Sequence, residues 1–192
     1  MTNYLKSYYL HLTMTAIFKK CLWQNFGAAI DMLTNAINLC PDELWQRKDR
    51  FFYLAYHTSI FLDYYLSSPV KNFKPGLSFT LTDFDHLPAG AIDDVIPGRH
   101  YSKGEIIDWL ITCREKCREL IMKSGEDKLQ KRWVEDDEIN LHGLCPSIVE
   151  NYSLLEILFY NFRHVQHHVA QMNFILRNEA NVAADWISHA EL

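Results

Sequence analysis

Glycine and proline are scarce: 7 and 6 residues of 192, or about 7% together, against about 12% in ordinary proteins. A chain so poor in turn formers is not collagen-like or loop-dominated, and the shortage favours helices. Basic residues form no run and the net charge is −5 with histidine neutral. That argues against a nucleic-acid surface, which needs clustered Lys and Arg to displace counterions from phosphates. Apolar stretches such as 51–56 and 154–162 fall far short of the roughly 20 residues that cross a bilayer, so no membrane partner is expected. The N-terminus, MTNYLKSYYLHL, has neither a long apolar core nor a small-residue cleavage site, and the expected address is the cytoplasm. Also missing are a Gly-x-Ser-x-Gly elbow, a Gly-x-x-x-x-Gly-Lys phosphate loop and a Gly-x-Gly-x-x-Gly turn, leaving acyl-serine and nucleotide chemistry poorly supported. The five cysteines, Cys21, Cys40, Cys113, Cys117 and Cys145, are odd in number and lack a short disulfide framework, which fits reduced thiols. Cys113 and Cys117, one helical turn apart, are spaced to share a metal or redox role, but read better as small buried hydrophobes.

What is present is ordinary for a globular chain: 48% hydrophobic and 22% charged residues. At this length a single domain, 1–192, is expected. Turn formers are concentrated in 67–104, which holds Pro69, Pro75, Pro88 and Pro97 with Gly76, Gly90, Gly98 and Gly104. This segment reads as one long connection, and helical periodicity surrounds it.

Four helices are predicted. The first spans 13–39, with Ile17, Cys21, Phe26, Ile30, Leu33 and Ile37 inward and Pro41 as its stop. Asp42 caps a short turn, DELWQ, that leads to a second helix over 48–66. Its sequence FFYLAYHTSIFLDYYL is dense in aromatics and implies burial on most sides. Ser102 and Glu105 form a capping box that opens the third helix, which continues to about 123 with Ile106, Leu110, Cys113, Cys117, Leu120 and Ile121 inward. Ser153 and Glu156 form the same box for the fourth, which runs to about 177 and ends near Asn178. The expected fold is all-α: a four-helix bundle with a long crossover between helices two and three, long enough to leave these two parallel. The acidic run 135–138 reads as solvated charge.

The chemistry-bearing cluster is RHVQHHVAQMNFILR on the fourth helix. His164 and His168, at i and i+4, share a face and can present imidazoles to one ion; the pair His164 and His167 is also allowed by spacing. At about 100° per residue, Ile157, Tyr160, His168, Gln171 and Ile175 all fall within about 40° of His164, whereas His167 lies with Arg163 and Ala170 on a more polar stripe. His57, among apolar residues in the middle of the second helix, is the third candidate. Three imidazoles with remaining positions open to water or substrate suit catalysis more than a closed structural site, and borderline ions such as zinc or nickel suit imidazole nitrogen. Tyr53, Tyr64, Tyr160, Asn161 and Gln171 are within reach by periodicity, either to orient the rings or simply to pack the core. Glu156, two turns before His164, is placed to be a general base or a ring orienter, but its capping box accounts for it without chemistry. His11, His86, His100, His142 and His189 fall in ends or links and are assigned no role.

A mid-helix histidine in AYHTSIFLDYYL, a long crossover, ENYSLLEILFYNFRHVQHHVAQMNFILR and a tryptophan in ADWI together resemble the DinB-like (DinB/YfiT) superfamily over 13–187. The resemblance implies a four-helix bundle, often dimeric, that binds a divalent metal through three histidines. Carried onto this chain the ligands would be His57, His164 and His168, with His167 outside. It also implies two kinds of chemistry on a small-molecule substrate: thiol-dependent transfer or isomerisation with a low-molecular-weight thiol, and metal-dependent hydrolysis. The alternative is a non-catalytic helical domain whose metal or histidines stabilise the bundle or a homodimer.

Overall fold

The two capping boxes set where two of the long helices begin. Ser102 Oγ accepts from the Glu105 amide and Ser153 Oγ from the Glu156 amide, while each glutamate accepts in return from the serine backbone N–H. The computed structural model describes residues 2–191, and the side chains of 15–191. Among the described residues the long helices are α1 (Thr2–Leu39), α3 (Arg50–Tyr65), α4 (Lys103–Lys123) and α6 (Leu154–Ile175), with short helices α2 (Asp42–Gln46) and α5 (Glu126–Gln130).

The backbone of α1 begins eleven residues earlier than expected, and Ile17 and Cys21, expected inside, are exposed, because they lie near the end of the stretch that its neighbours cover. Phe26, Ile30, Leu33 and Ile37 are fully buried. Pro41, not Asp42, precedes α2 in the capping position, and no side chain caps it. Asp49 caps α3 through the Phe51 amide, since Lys48 takes a left-handed φ of 53° that ends the preceding turn. Along α3 only Arg50 and Tyr53 escape burial. Leu120 is only partly buried in α4. The helix α6 closes through a wider turn over Leu176–Ala180, and the left-handed residue is Asn181, whose φ is 53°, in place of the expected Asn178.

Side-chain contacts give the helix directions. Lys103 near the start of α4 reaches Cys40 and Asp42, just ahead of α3, while Lys116 later in α4 reaches Asp63 and Ser67 at the end of α3. These two helices therefore run parallel. Asn161 early in α6 reaches Leu62, and His168 later in α6 faces His57, so α6 runs antiparallel to α3. Contacts α1 to α4, α4 to α3, α3 to α6 and α6 to α1 close a ring around a core that includes Trp23, Phe26, Tyr56 and Tyr65.

The connection from α3 to α4 contains an antiparallel pair, β1 (Phe79–Leu81) and β2 (Val95–Pro97), with Thr80 opposite Ile96. Tyr56 of α3 holds it by donating to the Ser78 carbonyl at 2.7 Å. Gly90 is the point of closest approach: its φ is 89°, and a Cβ there would sit 2.7 Å from the Arg50 nitrogen. Only glycine tolerates both conditions, so the connection lies tight on the first turn of α3. The acidic run is not wholly solvated, because Glu138 is buried and accepts from the Lys71 and Glu135 amides. No helix among the described residues is long and apolar enough to cross a membrane.

Candidate metal centre

His57 sits in the middle of α3, and His164 and His168 sit one turn apart on the face of α6 that packs against it. The fold brings their Nε2 atoms together: His57 to His164 is 3.0 Å and His168 to His164 is 3.1 Å. One ligand atom from each lies within 4.8 Å of the others. His57 and His168 are buried, and His164 keeps one partly exposed edge. His167 points outward, its ring 5.1 Å from that of His168.

The far side of the His168 ring is hydrogen-bonded, and that of the His57 ring faces a carboxylate without a hydrogen bond. Gln171 Oε1 lies 2.8 Å from His168 Nδ1, and Asp93 Oδ2 lies 3.0 Å from His57 Nδ1, off the direct N–H line. An acceptor at Nδ1 favours the proton there and leaves the Nε2 lone pair free. Two such lone pairs face His164 Nε2, which can give its one proton to only one of them at a time, while His164 Nδ1 is buried without a partner. A cation held by the three Nε2 atoms would relieve this crowding of lone pairs, and the three imidazoles are a donor set that can hold a metal ion.

Electrostatics support the same arrangement. Burial, then the neighbouring His57, pushes His164 down to about 2 and His168 down to about 4. Neutral imidazole is the form that ligates metal, so protons are weak competitors here at neutral pH. Aromatic rings wall the cluster: Phe61 lies 4.7 Å from His57, and Tyr65 meets His164 edge-on at 6.1 Å.

Of the residues expected to orient the rings, only Gln171 bonds one. Tyr160 stacks over His164 with ring centres 6.3 Å apart. Asn161 ties the helices together instead, donating to the Leu62 carbonyl at 3.1 Å. Tyr64 turns away to Phe73, Trp133 and His142, and Tyr53 packs on Phe52, because their positions on α3 face other neighbours. Glu156 stays in its capping box, where its bonds to Ser153 lower its pKa. Of the histidines assigned no role, His100 packs on Phe52, and His11 lies outside the described side chains. Asp93 was not foreseen: it sits in a stretch of four aspartates from 83 to 94, and nothing in that pattern distinguishes it.

No family model, no curated protein and no solved structure matches this chain.

Proposed function

We propose that the protein is a four-helix bundle of the DinB-like kind in which His57, His164 and His168 hold a divalent transition metal, zinc or nickel, and that it acts on a small molecule by hydrolysis or thiol transfer. The observation that carries this reading is the convergence of three Nε2 atoms from two helices. When bound, such an ion supplies a Lewis acid that lowers the pKa of a water or thiol and polarises a carbonyl. The chain's own part is orientation and exclusion of water. Gln171 holds the His168 proton on Nδ1, the Asp93 carboxylate beside His57 Nδ1 favours a proton there through its charge, and Phe61, Tyr65 and Tyr160 cover the rings.

The decisive experiment is elemental analysis of untagged protein, wild type against a His164→Ala, His168→Ala double variant. About one transition-metal ion per chain is expected in wild type and none in the variant; no metal in wild type even after reconstitution overturns the reading. His57→Ala should lose high-affinity binding and keep most helicity.

A second reading is favoured by the burial of His57 and His168: an ion, or the histidines alone, could serve to clamp α3 to α6 without catalysis. Cobalt-loaded protein separates the two. A thiolate-to-metal absorption band on adding a low-molecular-weight thiol supports catalysis, and an unchanged spectrum supports the clamp.

A further inference from the structure

Arg50 is a cation in an unusual place. It is the first residue of α3, at the end of a helix where the backbone dipole is already positive and a cation is disfavoured. Its guanidinium donates to the Ala91 carbonyl at 2.9 Å, and among the described residues no carboxylate lies within 4.0 Å of it. The nearby acids are committed elsewhere. Asp49 pairs with Arg47 at 2.9 Å and caps α3, while Asp93 divides its oxygens between His57 and the Val95 amide. Arg50 is exposed, and among the described residues four of its five guanidinium N–H groups have no hydrogen-bond partner.

The guanidinium stands at one side of a groove of about 490 Å³ between α3 and α6. That volume falls in the range of small-molecule sites. Leu54 and Ile175 line it with apolar surface, and Phe174 adds a ring that is 68% exposed. His167, Ala170 and Gln171 complete the wall. Gln171 is the link, since the same side chain lines the groove and holds His168 at 2.8 Å. The groove therefore reaches the Nδ1 side of His168, behind the converging Nε2 atoms, and none of the three clustered histidines lines it.

We propose that this groove binds a small acid: an oxyanion head, carboxylate or phosphate monoester, on an apolar body. The head pairs with the planar fork of Arg50, which matches either oxyanion two atoms at a time. The body lies along Leu54, Phe174 and Ile175 and brings its other end toward Gln171. An unpaired cation beside an apolar wall recognises a molecule with both features, because the wall contributes apolar burial and the fork rejects a neutral head.

The test is calorimetric titration of octanoate, octyl phosphate and the neutral octanamide into untagged protein, metal-free and zinc-loaded. Both acids, or one of them, should bind at least about tenfold tighter than the amide in both states, the size expected for hydrogen bonds to a charged group. The tighter acid identifies the head as carboxylate or phosphate. Arg50→Gln should remove the preference and leave one zinc per chain, while Phe174→Ala should weaken acids and amide alike. The proposal is overturned if the amide matches the acids, if Arg50→Gln keeps the preference, or if acids bind only zinc-loaded protein regardless of Arg50. Arg50-dependent acid binding in a protein that takes no zinc would retain the groove and sink the metal centre, so the two failures are distinguishable.

Discussion

Asp93 is the residue whose removal says most about the centre. Its two carboxylate oxygens have different duties: Oδ1 accepts from the Val95 amide at 3.1 Å, and Oδ2 faces His57 Nδ1 at 3.0 Å. The side chains of His57 and Asp93 are 10% and 26% exposed, so the interaction is only partly screened by solvent. Groups that orient a ligating histidine typically change metal affinity by about 10- to 100-fold, which is about 1.4–2.7 kcal/mol. Asp93→Ala loses both the orientation and a negative charge beside a dication and should fall near the upper end of that range. Asp93→Asn keeps the shape and an acceptor oxygen and should fall near the lower end. The metal-free fold should change by only about 0.5–1.5 kcal/mol, the size of one turn-forming hydrogen bond. The assay is competition for zinc against a chromophoric chelator at fixed ionic strength, with urea unfolding of the metal-free proteins alongside. Zinc affinity of Asp93→Ala within twofold of wild type would refute the reasoning and reduce the crossover to a neighbour of the site.

Two further predictions concern charge in the core. With folded-state values of about 2 for His164 and about 4 for His168, the unfolded chain binds protons below about pH 6.5 that the native chain refuses. The unfolded state then carries more bound protons, so the stability of the metal-free protein falls as pH drops from 7 to 5, by up to about 2 kcal/mol per histidine. Urea midpoints measured across that interval should show the slope, and a His164→Phe, His168→Leu variant should lack it; a flat wild-type profile would contradict the burial of neutral rings. At the far end of α3, Lys116 Nζ donates to Asp63 Oδ1 at 2.6 Å, to the Asp63 carbonyl and to Ser67 Oγ. Lys116→Met strands a carboxylate that is 3% exposed and should cost about 2–3 kcal/mol, below the 3–5 kcal/mol of a fully buried pair because the Lys116 side chain is itself 34% exposed. Adding Asp63→Leu should restore most of the loss, as read by chemical denaturation, and a double variant no better than Lys116→Met would rule out the pairing as the cause.

Helix content, the starts of α4 and α6, and the pairing of His164 with His168 could all be read from the chain alone. Each is a local matter: a serine finds a glutamate three residues on, a proline stops a helix, and residues four apart share a face. His57 could be nominated, because a histidine amid FFYLAYHTSIFLDYYL is conspicuous, yet its 3.0 Å approach to His164 depends on how α6 lies against α3. Tyr53 and Tyr64 show the limit of periodicity. On a helix buried on almost every side, spacing gives the angle of a residue but not which neighbour occupies that angle. Glu138 and Asp93 show the same limit in loops, where an acidic residue reads as solvated until the fold places an amide or an imidazole beside it. Sequence by itself thus determined the four long helices, apart from the start of α1, and the inward face shared by His164 and His168, since these follow from local capping and the 3.6-residue turn. Only the tertiary structure decided that Asp93 stands behind His57 and that Arg50 overlooks a groove ending at Gln171. Both depend on a crossover whose path is set by Gly90 against α3 and by the register of two short strands, contacts made between residues far apart in the chain.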